Sequence, residues 1–390
     1  MIKTIHYNNF CRCCLFALLL AWSSPTCALA LVNSVNEPLL IGQSCALSGP
    51  AKNLGQDMRA GIQAAISELN ESGGINGRQV RLLSRDDGYT PDRAVRNTLE
   101  FILDDQVFLL IGEVGTPTSK AVVPIVEQYK IPFFAPLTGA EFLRNPVRRY
   151  VINVRTGYLQ EMATLTSYLI DRQGIRRISC FYQNDSYGFA GLEGIELALK
   201  ARGVQLVSRG SYERNTIAVM GGMREIYKAA PEAVILIGTY AACSEFIKLS
   251  KAQKKSARFF GNISFVGTES LMKALGAYGE NVIVSQVVPF PWDNSVPLVQ
   301  GYRAAMQKYQ HDFPLNFTTL EGYIAGRLFA AIALTVPGEL TREKFIETMQ
   351  QTARFDLGGV ILQFGDNDHQ GMDSSYLTII YPAIQKISDK

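Results

Sequence analysis

The sequence predicts an α/β fold in two successive halves, each built on a doubly wound parallel sheet. Three observations carry this. Short apolar runs of strand length alternate with longer runs whose apolar residues recur at helical spacing. The alternation restarts at Tyr150 after a first set that ends near Ala135. No Gly/Ser- or Pro-rich tract separates the two sets, so short extended crossings join them rather than a floppy tether.

Taken in order, Leu39–Ala46 reads as a strand, and Gln56–Asn70 places Met58, Ile62, Ile66 and Leu69 on one helical face. Gly73-Gly74-Ile75-Asn76-Gly77 is a turn before the strand Gln79–Ser84. Pro91–Asp104 is helical, with Pro suited to the first turn. Val107–Gly112 and Ile131–Ala135 are buried strands flanking a helix at Thr116–Tyr129, which Pro124 is expected to end or kink. The second set begins with extended Tyr150–Val154 and a helix marked by Tyr158, Met162, Leu165 and Leu169. It continues with strand Arg177–Tyr182, helix Phe189–Arg202, strands Val204–Ser211 and Ala233–Ile237, helix Ala242–Lys251 and strand Asn262–Val266. The tail carries helices at Leu298–Tyr309, Leu320–Leu334 and Arg342–Thr348, then strands near Val360–Gln363 and Tyr376–Ile380.

The 390 residues are 47% apolar and 19% charged, ordinary globular usage. A net charge of +3, with no basic-aromatic stripe, excludes a strong nucleic-acid footprint. Residues 1–30 read as a cleaved signal peptide: Lys3 and Arg12 with no acid, an apolar core from Cys13 to Trp22, and Ala28-Leu29-Ala30 as a small-x-small cleavage site. The expected product is a neutral soluble protein outside the cytoplasm, periplasmic, with 36 basic against 35 acidic residues. Lipidation at Cys27 is the alternative, but Ser24-Pro25-Thr26 is a poor lipobox. Four cysteines leave with the leader. Cys45, Cys180 and Cys243 remain, each in an apolar element, so neither a disulfide nor a metal site is expected. His311 and His369 are too few for a histidine cluster.

Ligands of open α/β sheets bind beyond the carboxyl ends of the strands. Two junctions there stand out. In Ile111-Gly112-Glu113-Val114-Gly115-Thr116-Pro117, Thr116 has N-cap chemistry and Pro117 suits a first helical position. In Phe134-Ala135-Pro136-Leu137-Thr138-Gly139-Ala140-Glu141, Thr138 and Glu141 have capping-box spacing. Backbone N–H groups and hydroxyls at both favour a ligand carboxylate, and two well-capped helices account for the same residues. Ser48-Gly49-Pro50 follows the first strand. In the second half, Asn184-Asp185-Ser186-Tyr187-Gly188, Gly238-Thr239-Tyr240 and Gly267-Thr268-Glu269-Ser270 occupy equivalent points. Glu269 suits either a ligand ammonium or the dipole of its own helix. Enzyme motifs fail: G-x-S-x-G, P-loop, H-E-x-x-H and an in-context GxGxxG are all missing. Asp86-Asp87 and Asp366-Asn367-Asp368 read as solvated turns, and no cofactor is implied.

From about Leu39 onward the chain resembles the periplasmic leucine/isoleucine/valine-binding protein family, the type I substrate-binding proteins of ABC transporters. The resemblance rests on Leu47-Ser48-Gly49-Pro50, Gly73-Gly74-Ile75-Asn76-Gly77-Arg78, Asp86-Asp87, Asn184-Asp185-Ser186-Tyr187-Gly188, Ser264-Phe265-Val266-Gly267-Thr268-Glu269 and Glu321-Gly322-Tyr323, in that order. It implies two Rossmann-like lobes with parallel sheets, joined by three crossings and closing on a ligand. Lobe 1 would be 31–154 plus 288–357, and lobe 2 would be 155–287 plus 358–390. It implies a site of Ser48, Leu54, Val114, Gly115, Thr116, Leu137, Thr138 and Gly139 from lobe 1, closed by Tyr187, Tyr240 and Glu269 from lobe 2. Glu269 matches the ammonium partner, and Leu54 would lie over the pocket mouth.

Two departures accompany the resemblance. Family members with a lobe 1 disulfide carry cysteines that would fall near Tyr89 and Gly115 of this chain. Where amino-acid binders carry a ligand-bonding Thr, this chain has Gly139, with Thr138 one residue early. The expected function is capture of a small amino acid or a related carboxylate or amide by a monomeric, non-enzymatic protein. Its partner would be a membrane ABC permease or, alternatively, a membrane signalling receptor.

Overall fold

A computed structural model of the chain describes residues 37–253 and 256–380. The expected leader, with Cys27, lies outside the described residues. The first lobe is built on strands β1 (Leu39–Cys45), β2 (Val80–Asp86), β3 (Leu110–Ile111), β4 (Phe133–Phe134) and β5 (Val151–Ile152). They pair in the order β2-β1-β3-β4-β5, all parallel. Helices α1 (Lys52–Glu71), α2 (Pro91–Leu103) and α3 (Thr116–Tyr129) connect them, and α3 runs on through Pro124.

The second lobe uses α4 (Tyr158–Ser167), β6 (Ile178–Gln183), α5 (Ser186–Lys200), β7 (Ser208–Tyr212), α6 (Met220–Tyr227), β8 (Ala233–Ile237), α7 (Tyr240–Lys251), β9 (Phe259–Asn262), α8 (Thr268–Leu275) and β10 (Val282–Gln286). The chain then returns to the first lobe with α9 (Pro297–Tyr309), α10 (Phe317–Thr335) and α11 (Arg342–Thr352). A short hairpin, β11 (Arg354–Asp356) and β12 (Ile361–Gln363), leads to β13 (Tyr376–Ile380).

The second sheet has the order β13-β10-β9-β8-β6-β7. Its edge strand β13 runs antiparallel to β10, pairing Val282 with Ile380, so this sheet is not purely parallel. Two further expectations are corrected. Helix α6 falls where no element was read, because Gly221-Gly222 breaks its helical pattern. The run Asn262–Val266 is not a strand. The strand ends at Asn262, and Ser264–Val266 forms a tight 3-10 turn whose Ser264 N–H donates to the Glu161 carboxylate at 2.8 Å.

Helix α10 is apolar and long enough to cross a membrane, yet it is a core helix packed on α1. Small residues allow this contact: a Cβ on Gly61 would lie 2.0 Å from the Thr319 carbonyl oxygen, and one on Gly322 would lie 2.4 Å from that of Met58. The first and last crossings run side by side. Asn153 N–H donates to His369 O, and Gly371 N–H to Asn153 O, both at 2.8 Å.

Candidate functional site

The segments that follow β1 and β2 in the first lobe meet the carboxyl ends of β6 and β9 in the second, with Tyr89 against Gln183 and Leu54 against Gly267. A parallel bridge pairs Val114 with Leu137: Leu137 N–H donates to Glu113 O at 2.7 Å, and Gly115 N–H to Leu137 O at 3.3 Å. This pairing sets two buried threonines together, Thr116 Oγ1 lying 2.6 Å from Thr138 Oγ1. The Tyr158 hydroxyl completes a triad, 3.4 Å from Thr116 and 3.3 Å from Thr138.

Neither threonine caps a helix. The N-cap of α3 is Gly115, and Thr116 is already inside the helix, which leaves its hydroxyl for Thr138. The expected capping box at Thr138 and Glu141 does not form. The chain makes only a 3-10 turn, Glu141–Leu143, capped by Ala140, and Thr138 Oγ1 accepts from Ala140 N–H at 3.3 Å.

The departure at Gly139 has a physical explanation. A Cβ there would lie 2.5 Å from Cδ1 of Tyr158, so the tyrosine ring occupies the space of the missing side chain and supplies a hydroxyl in its stead. The departure at Gly115 repeats the pattern, since a Cβ at Gly115 would meet the Tyr89 ring at 2.2 Å. Tyr89 is buried at φ +59°, a costly conformation for a bulky residue, and the Asp87 carboxylate fixes it by accepting the Tyr89 N–H at 2.7 Å. From this position Tyr89 reaches across the cleft, where Gln183 Nε2 donates to its hydroxyl at 3.2 Å.

The second lobe contributes rings. Asp185 caps α5 by accepting the Tyr187 N–H at 2.9 Å. This places the buried Tyr187 ring 4.6 Å from Phe265 and 5.7 Å from Tyr158. Leu54 is buried against Gly267, and the Asn53 N–H bonds the half-buried Tyr240 hydroxyl. Asn53 also donates to Ser270 at 2.9 Å, so these residues close one rim of the cleft. Ser48 lies exposed, its Oγ bonded to Asp86 at 2.6 Å.

Glu269 makes no hydrogen bond to the threonine pair. Its carboxyl accepts from its own N–H and from the Phe317 N–H at the start of α10, and Asp57 on α1 lies close enough to repel it. Burial pushes its carboxyl up to about 7, and the Asp57 charge adds to the rise. Asp57 is likewise pushed up to about 7 by burial, against a hydrogen bond from Asn316.

The charged centre of the cleft comes from residues that sequence reasoning missed. Arg155, in the crossing after β5, is only 1% exposed. Its Nη2 donates to Ser264 Oγ and to Glu161 Oε1, the latter at 3.4 Å, and its Nε lies 3.6 Å from Glu321 Oε1. Burial alone would lower its pKa, but the two glutamates outweigh this and raise it. Arg144 is half-buried beside it and donates to the carbonyls of Thr138, Ala140, Arg155 and Thr156. The signal was present in the pattern: Glu161 falls on the apolar face of α4, and Glu321 is the lone acid of α10. Among the described residues, no group of three or more His, Cys, Asp or Glu is placed to hold a metal ion.

Two α/β lobes facing each other across buried hydroxyls, rings and a guanidinium define a two-lobed ligand-binding protein. The chain belongs to the periplasmic binding protein family, whose profile matches residues 38–380, a family of binding proteins rather than enzymes that act outside the cytoplasm. A leucine-, isoleucine-, valine-, threonine- and alanine-binding protein of Pseudomonas aeruginosa is 22% identical over 312 residues, 78% of this chain and 80% of its own length. The crystal structure of a possible leucine/isoleucine/valine-binding protein from Rhodopirellula baltica is 36% identical, with a TM-score of 0.84 over 88% of this chain and 94% of its own. A substrate-binding periplasmic protein from Ralstonia solanacearum is 26% identical, with a TM-score of 0.83 over 88% of this chain and 98% of its own.

Proposed function

We propose that this protein is the solute-capturing component of an ABC transporter, taking a small amino acid or a related carboxylate or amide between its lobes and presenting it to a membrane permease. The observation that carries the reading is the buried triad of Thr116, Thr138 and Tyr158 hydroxyls, set at strand ends and faced by Tyr187 from the other lobe. Such a site is mostly apolar with a few convergent polar groups, the usual make-up of a small-molecule cleft. In this reading Gly115 and Gly139 let two rings into the cleft. Val114 and Leu137 hold the threonines in register, and Leu54, Tyr240 and Ser48 form its rims. The names of the relatives support a branched-chain amino acid as one member of the screen.

The experiment is a thermal-shift screen of amino acids, aliphatic and aromatic acids, and amides. A ligand at 100 times its Kd stabilises by about 2.7 kcal/mol, which for a domain of this size raises Tm by about 4 °C. Shifts confined to one chemical class support the reading. No shift from any compound at millimolar concentration, with the protein folded, would refute it.

A further inference from the structure

The cleft holds polar groups that the protein itself leaves without partners. Arg155 Nε and Nη1 and the Tyr187 hydroxyl are all buried and make no hydrogen bond. Buried donors are rarely left so, and a charged one least of all. They are neighbours: Arg155 Nη2 donates to Ser264 Oγ, the ring of the next residue, Phe265, lies 4.6 Å from that of Tyr187, and Tyr187 lies 5.7 Å from Tyr158, whose hydroxyl meets Thr116 and Thr138.

We propose that Arg155 is the anion receptor of the cleft, its Nη1 and the Tyr187 hydroxyl taking the carboxylate of a small organic acid that needs no α-amino group. This rests on the solute-binding reading above and narrows its ligand class.

Three observations support it. First, Glu161 does not saturate the guanidinium. Its oxygens accept from Ser264 N–H at 2.8 Å, Ser264 Oγ at 3.1 Å and Ser285 Oγ at 2.5 Å, leaving Arg155 a long contact of 3.4 Å. Second, the other acid, Glu321, is held only at 3.6 Å, and burial raises its pKa, with Arg155 opposing. Arg144 alongside adds a second guanidinium, and its donors go to backbone carbonyls and Gln370 rather than to a carboxylate. Third, two acids near the cleft are already engaged within the protein. Glu269 is turned to the Phe317 N–H and Asp57, and Glu161 is committed to serines. The rings of Tyr187 and Phe265, 4.6 Å apart, offer an apolar wall for the body of the acid.

The test uses the folded protein and matched probes in calorimetry: 4-methylpentanoate, L-leucine and L-leucinamide, then benzoate and benzamide. The assignment expects an acid to bind at least tenfold tighter than its amide and than the amino acid of the same skeleton. Tyr187→Phe should leave the melting temperature of the unliganded protein unchanged and weaken the acid roughly tenfold, as for one hydrogen bond to a charged group, and the matching amide by less. Arg155→Lys keeps the charge but not the fork, and should weaken the acid roughly a hundredfold. Tight leucine with inert 4-methylpentanoate, or acid and amide bound equally, overturns the assignment while leaving the solute-binding reading standing. So does unchanged acid affinity in Tyr187→Phe, a variant whose folding is not at stake. No binding by any probe counts against the solute-binding reading itself and takes this assignment with it.

Discussion

Asp57 and Glu269 face each other across the closing rim, one from each lobe, and both carboxyls are pushed up to about 7 by burial. Asn316 bonds Asp57, the Phe317 N–H bonds Glu269, and Tyr302 feels both charges. Closure therefore takes up a proton. With the lobes apart, the pair titrates near the ordinary carboxylate range, about 4. With the lobes together, at least one titrates near 7. A raised carboxyl pKa stabilises the closed form fully below pH about 4, and that stabilisation is lost as pH rises through 7. For one proton and a closed-state pKa of about 7, the closed-to-open ratio falls about tenfold between pH 6 and 8, or about 1.4 kcal/mol. Solute affinity should follow it, tighter at pH 6 than at pH 8. Calorimetry in two buffers of different ionisation enthalpy counts the proton, and small-angle scattering of the unliganded protein reads the opening. Asp57→Asn combined with Glu269→Gln should flatten both profiles. A flat wild-type profile, or a slope undiminished in the double variant, would refute the reasoning.

Three further outcomes are expected. Gly139→Ala pushes on the Tyr158 ring, so it should cost about 1–3 kcal/mol in thermal unfolding and weaken the solute. Adding Tyr158→Ala should return part of the stability, a positive coupling in a double-mutant cycle. Gly61→Ala gains helix propensity of about 1 kcal/mol but drives a Cβ to 2.0 Å from the Thr319 oxygen, so denaturant melts should show net destabilisation of about 1–3 kcal/mol. Cys45, Cys180 and Cys243 are free and buried, and burial raises all three thiol pKa values. In protein freed of residues 1–30, a thiol reagent should find almost none in the native state and three after unfolding without reductant.

The strands and most helices were legible because burial on both faces writes continuous apolar runs, as at Ala233–Ile237. What the sequence could not carry was partnership. Nothing local tells β13 that it pairs antiparallel with β10, and nothing near Ser264 says that Glu161 will pull it off the sheet. Thr138 and Glu141 had the spacing of a capping box, but the chain after β4 is committed to the bridge with Val114 and turns instead. The candidate site divides the same way. Thr116, Thr138 and Tyr187 were readable from strand-end position. Arg155 and Glu161 are six residues apart, but Glu321 comes from a distant helix, and only folding brings the three charges together.

The two tyrosines that lie over glycines bear on how this protein can be handled. Where some relatives are expected to carry a covalent bridge near positions 89 and 115, here a ring packs against a glycine by contact alone, and the three described cysteines are free. The lobe thus owes nothing to an oxidant. A leaderless chain should reach its native form in a reducing cytosol, without isomerases or a redox buffer. The same interlock restricts redesign. Residues 89 and 115 form one unit, and 139 and 158 another, so a cleft borrowed from a relative can be grafted only by exchanging both members of each unit together.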